Sequence, residues 1–144
     1  MGAEQSSVDL RDYDVECQLP SYIKRVDSSF ILAMHNGSYY PCIIIRPALI
    51  INGGYTVYFF HIQGENEVPA NGIIGNLSCL KNCEVSYTDE KGNKCIGRII
   101  GTNQNHRSMI DQPLNFFIQN NDRCEWVSFP YIYLTKTQAK VICC

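Results

Sequence analysis

The feature that most restricts this chain is its punctuation: from about Tyr22 onward, short β-branched and aromatic runs are cut by turn residues, and the series occurs twice. Runs this short cannot each bury a core, so neighbouring runs must pair and the sheet must bend onto itself. The first run, Phe30 to Met34, is closed by His35-Asn36-Gly37-Ser38, where Asn and Gly tolerate positive φ and so predict a tight hairpin. The second strand is expected over Tyr39 to Arg46 and the third over Tyr55 to His61, joined through a glycine-paired reversal between Pro47 and Gly54. A short fourth strand is expected from Glu65 to Val68, ended by Pro69.

The pattern then restarts. Strands are expected over Cys83 to Tyr87, Cys95 to Gly101, Leu114 to Gln119 and Glu125 to Leu134, with turns at Asp89 to Asn93 and at Asn120-Asn121-Asp122. In this half Val85 with Tyr87, and Ile96 with Arg98 and Ile100, fall on opposite faces of half-buried strands. Thr135 and Gln138 form a T-x-x-Q capping box, which predicts a short closing helix that must pack on a barrel to persist. The expected organisation is therefore all-β: a flexible polar lead-in over 1–21, a first antiparallel barrel over 22–70, a packed connector over 71–80, and a second barrel with a C-terminal helix over 81–144. The polar beginning and the Cys143-Cys144 ending suggest a piece of a longer protein.

Composition narrows the function. A net charge of -2 and no basic run longer than Lys24-Arg25 argue against nucleic acid as the main ligand, because phosphate binding draws its affinity from a cationic surface. A stripe of Lys24, Arg25, Arg46, Lys94, Arg98 and Arg107 keeps a DNA-binding barrel as one alternative, and a protein-protein adaptor with a degenerate cage is the other. The eight cysteines are scattered and contain no CxxC pair, so neither a zinc site nor another metal or cofactor is expected. Cys42 and Cys95 lie in apolar runs where a reduced thiol behaves as a small core residue, which implies a reducing compartment. Two glycosylation sequons and a Met1-Gly2 myristoylation pattern are present without a signal peptide or membrane span to give them meaning.

No nucleophile motif, phosphate loop, dinucleotide fingerprint or metalloprotease helix occurs, so an enzyme acting on a small-molecule substrate is not expected. The aromatic residues say more. Tyr39 and Tyr40 follow the first hairpin turn, and Phe59, Phe60 and His61 end the third expected strand at the same rim. Rings gathered around an open mouth attract a methylated ammonium through their π faces, while its methyl groups gain from leaving water. Neighbours on a strand face opposite ways, so one of Tyr39 and Tyr40, and one of Phe59 and Phe60, is expected in the core. The cage requires Tyr40 and Phe59 to reach a common, water-accessible mouth.

The stretches Asn-Gly-Ser-Tyr-Tyr-Pro-Cys-Ile-Ile, Tyr-Thr-Val-Tyr-Phe-Phe and Glu-Asn-Glu-Val resemble the first barrel of the tandem Tudor domain of DNA-damage checkpoint mediators, the p53-binding-protein and yeast checkpoint-mediator type. Glu125-Trp126-Val127-Ser128, Tyr131 to Leu134 and the helix from Thr135 resemble its second barrel and ending. The resemblance implies two SH3-like barrels in tandem, nuclear and chromatin-associated, that recognise a methylated histone tail, dimethyl-lysine favoured, and recruit a checkpoint protein to the nucleosome. It places Tyr40 and Phe59 at aromatic cage positions. His35 stands near the family's Trp and His61 near the acid that receives the dimethylammonium proton. Glu65 is the candidate replacement for that acid, with Tyr39 beside the cage.

Overall fold

The structure, a computed structural model, describes residues 30–103 and 114–142. The lead-in, the start of the first expected barrel at 22–29, and Lys24, Arg25 and Arg107 lie outside the described residues.

Five strands form the first antiparallel sheet: β1 (Phe30–His35), β2 (Ser38–Pro47), β3 (Tyr55–Phe59), β4 (Gly64–Val68) and β5 (Ile73–Ile74), in the order β4-β3-β2-β1-β5. The second sheet contains β6 (Glu84–Thr88), β7 (Lys94–Thr102), β8 (Asn115–Asn120), β9 (Arg123–Ser128) and β10 (Ile132–Tyr133), in the order β10-β6-β7-β8-β9. The two orders are the same path through equivalent strands. A register shift interrupts β2 and β3 between Ile44 and Arg46, and another interrupts β7 and β8 between Ile99 and Gly101. Such a bulge adds twist at one point, which lets the longest strand of each half turn the corner of a small barrel.

The Asn36-Gly37 hairpin forms as expected, with φ of 53° and 86° and His35 paired with Ser38. Three expectations change. The third strand stops at Phe59, and Phe60 and His61 enter a turn that Gln63 closes at a φ of 51°. The last long run breaks into β9, a 3-10 turn over Phe129–Tyr131 and β10, because Pro130 has no N–H to give a ladder and fixes its own φ. Ile73–Ile74, inside the stretch expected to be connector, pairs with Leu32 and Ala33 of β1 as the fifth strand of the first sheet.

Burial along β1 shows how the barrels join. Phe30 to Ala33 are all buried, where a strand with one wet face would alternate. Ile31 and Ala33 face the first barrel's interior with Cys42, Val57, Phe59 and Val68. Phe30 and Leu32 face the other way, into a core shared with Val85, Ile99, Ile118 and Phe129 of the second half. Phe129 is the hub, its ring centroid 5.1 Å from Phe30 and 6.3 Å from Phe60. Each such ring withdrawn from water stabilises the fold by about 1.5–3 kcal/mol, so the barrels share a core and do not merely touch.

The closing helix α1 (Lys136–Lys140) starts at the expected capping box, with both reciprocal bonds formed. Gln138 also accepts from Ser86 Oγ at 3.0 Å, which docks the helix on β6. Cys42 is fully buried as a core thiol, whereas Cys95 is half-buried. Both are free thiols as expected, whereas Cys79 is disulfide-bonded, which runs against the reducing compartment that those two thiols implied. Among the described residues no three His, Cys, Asp or Glu side chains are placed to share a metal ion.

Candidate functional site: the mouth of the first barrel

Side chains on a strand alternate between faces, so the interior of the first barrel fixes which residues reach its mouth. Ile31 and Ala33 point inward, and His35, two residues further at the end of β1, continues that face. Tyr40 lies opposite Ala33, Phe59 opposite Cys42, and Asn66 opposite Val57, which puts all three on the same face. The turn after β3 brings His61 over the top.

The rings converge. His35 is 5.2 Å from Phe59 and 5.3 Å from His61, and Phe59 is 5.3 Å from His61, all between ring centroids. His61 lies nearly parallel on Tyr40, at 3.8 Å and 14°. Asn66 Nδ2 approaches His35 Nδ1 at 3.4 Å. On the side of the second barrel, Tyr133 stands 5.8 Å from Tyr40 with the ring planes 19° apart.

Phe59 is 0% exposed, so it is the floor of the mouth and not one of its accessible walls, contrary to the expectation. Phe60 is buried too, on the opposite face in the shared core. Two further expectations are corrected. Tyr39 points away from the mouth, packs on the shared core, and exchanges backbone hydrogen bonds with Leu134 at 2.8 and 3.0 Å. Glu65 lies opposite Tyr58, on the other face from Asn66, and pairs with Arg46 at 2.8 Å. Both follow from the same parity: a residue adjacent to a mouth residue on a strand faces away from the first barrel's interior.

His61 keeps an outer edge in solvent, but the face against Tyr40 is dry. This desolvation, with the neighbouring His35 adding a smaller electrostatic effect, lowers its pKa from 6.5 to about 4. At neutral pH the imidazole is uncharged and places no cation in the mouth. Tyr40 and His61 also line a cleft of about 360 Å³ between the barrels, completed by Gln63 and, from the second half, by Lys94, Tyr131 and Tyr133.

Among solved structures, the chain matches the crystal structure of the Crb2 tandem tudor domains with a TM-score of 0.55 and 18% identity, covering 82% of this chain and 91% of that one. This chain has the tandem Tudor fold. No protein-family model and no curated protein matches it, so the likeness is one of backbone arrangement. In this tandem Tudor arrangement two mouth residues escaped the sequence reading. Asn66 was legible in principle, since it alternates with the apolar Val68. Tyr133 was not, because only the docking of the barrels brings it to Tyr40.

Proposed function

We propose that this tandem Tudor module binds a methylated lysine of a histone tail at the mouth of its first barrel, and thereby holds a DNA-damage checkpoint protein on chromatin in the nucleus. The observation that supports this reading is the gathering of the His35, Tyr40 and His61 rings over the buried ring of Phe59, so the accessible walls are these three and not the Tyr40–Phe59 pair that the sequence required. A methylated ammonium gains there from ring faces and from the loss of water around its methyl groups, without needing a reacting group.

The cage has a closed resting state. Rings 3.8 Å apart are in mutual contact, so the cation enters only when His61 leaves the face of Tyr40. His61 sits in the turn over residues 60–63, outside the ladder, where this motion breaks no strand pairing. Asn66 stands in the mouth and no carboxylate does so among the described residues at these positions. The amide oxygen accepts the proton of a dimethylammonium, a bond with one charged partner worth about 1.5–3 kcal/mol, so dimethyl-lysine is favoured over trimethyl-lysine by roughly ten- to a hundredfold.

Titrating labelled protein with unmodified, mono-, di- and trimethylated histone peptides tests the reading. Shifts at Tyr40 and His61 should appear with methylated peptide alone and vanish in Tyr40→Ala; shifts indifferent to methylation would remove the proposal. The Tyr40–His61 contact favours one other reading, a protein-protein adaptor whose cage stays shut, and such a molecule would show no methylation dependence. The DNA alternative gains little from the fold, since Arg46 is engaged by Glu65 and Arg98 donates to the Asn82 carbonyl at 2.7 Å.

A further inference from the structure

The cleft beside the mouth is continuous with it, because Tyr40 and His61 line both. Any polypeptide that places a lysine side chain in the mouth must carry its neighbouring residues along or out of this cleft, at about 3.3 Å per extended residue. The walls are apolar and aromatic for most of their area, from Pro130, Tyr131, Ile132 and Tyr133 to the two shared rings, with Gln63 and Thr88 as polar members. One charged side chain lines the cleft, and it is a cation, Lys94.

Lys94 opens β7 and is exposed. Among the described residues it has no ion-pair partner. Asp89, in the same hairpin, holds its own turn, accepting from the backbone N–H groups of Lys91 at 2.9 Å and Asn93 at 2.8 Å. On the first barrel, Glu65 lies on the other face by strand alternation and pairs there with Arg46. The cleft thus carries one charged side chain, a cation, among its lining residues, beside a mouth proposed to take a cation, so a ligand that matches both points changes sign between them.

We infer that the preferred partner is a peptide in which the methylated lysine is flanked within a few residues by an acidic side chain, which Lys94 receives across the cleft. The inference rests on the methyl-lysine reading above and narrows it: a tail whose flanks are strongly basic is disfavoured by repulsion at Lys94, whatever its methylation. An exposed charge pair supplies modest affinity, and exchanging attraction for repulsion about doubles the effect on the free-energy scale. The expected discrimination is roughly fivefold in Kd, and larger at low salt because the charges are at the surface.

Calorimetric titration of the full chain with four short synthetic peptides separates the possibilities: methylated or unmethylated lysine, each with acidic or basic flanks. The methylated, acidic-flanked peptide should bind roughly fivefold tighter than its basic-flanked partner, and Lys94→Glu, an exposed substitution that leaves the circular dichroism unchanged, should reverse that order. Methylated peptides that bind equally with either flank, or keep their order in Lys94→Glu, would overturn the inference while leaving the methyl-lysine reading intact. An acidic preference that Lys94→Glu reverses but that ignores methylation would uphold the cleft's selectivity and sink the cage.

Discussion

The two barrels follow one strand path with one bulge position, yet their mouths carry opposite chemistry. Aligning the halves on their registers sets His35 against Asp89, Tyr40 against Cys95, Phe59 against Asn120 and Asn66 against Glu125. The first mouth is aromatic and the second is polar. Beneath them the contrast runs the other way, since Ala33 in the first barrel corresponds to Tyr87 in the second. Tyr87 is fully buried and spans its barrel, donating to Glu125 at 3.2 Å and accepting from Asn120 at 3.1 Å. Where the first barrel has the small Ala33 beneath its rings, the second has Tyr87, which ties off the polar groups of its mouth. Topology is thus the common part, and the two mouths differ in a handful of inward-facing positions.

The largest expected effect on this contrast comes from the floor. Phe59→Ala removes a fully buried ring and should cost about 3–5 kcal/mol in urea unfolding, whereas Asn120→Ala at the matching position should cost about 1 kcal/mol for one hydrogen bond. Equal losses would mean the mouths are not built differently. Next is Gly97, the counterpart of Cys42. A Cβ there would stand 2.5 Å from Ile118 Cγ2 and 2.8 Å from the Gln119 carbonyl, so Gly97→Ala should lower stability by about 1–3 kcal/mol. A neutral result by thermal melting would show that the second barrel has slack the packing denies.

Tyr87→Phe keeps the ring and deletes its hydroxyl, leaving Glu125 and Asn120 each short of a bond; about 1–2 kcal/mol should be lost, with methyl-lysine binding untouched. The phenol itself should stay protonated far into alkaline solution, since burial, with the charge of Glu125 adding and the Asn120 bond opposing, pushes its pKa up to about 12. A spectrophotometric titration that ionises it near 10 would contradict the buried geometry.

The smallest effect is on pH. His61 has a native pKa of about 4 against an ordinary 6.5, so above 6.5 it is neutral in both folded and unfolded chains and its contribution is complete. As pH falls from 6.5 toward 4 the unfolded chain takes up a proton that the native mouth refuses, and stability declines through that window. The imidazole resonance should titrate near 4, and His35→Asn should raise the midpoint by removing part of the electrostatic effect. A midpoint near 6.5 would place His61 off Tyr40 and open the cage at rest.

Much of this fold was legible because strand signals are local. The Asn36-Gly37 turn, the two series of strands and the Thr135 capping box each depend on residues within a few positions of one another. The boundaries that shifted did so for local reasons too, Pro130 breaking the last run and Gln63 closing the turn after Phe59. The site was legible only in part. Tyr40 and His61 were found by their place at the rim and His35 through the family resemblance, but Glu65 and Tyr39 were assigned against the two-residue period that would have exchanged them for Asn66 and the core.

The sequence by itself determined the strands, their turns, their doubling and the residue types available at each rim, because backbone propensity and side-chain alternation act along the chain. Only the tertiary structure decided that Phe59 lies under the rings, that His61 rests on Tyr40, and that Tyr133 and Lys94 belong beside a mouth built by the other half. Those relations depend on which faces two sheets bury against each other. That choice is made by the shared core around Phe30, Phe60 and Phe129, which gathers residues about a hundred positions apart in the chain.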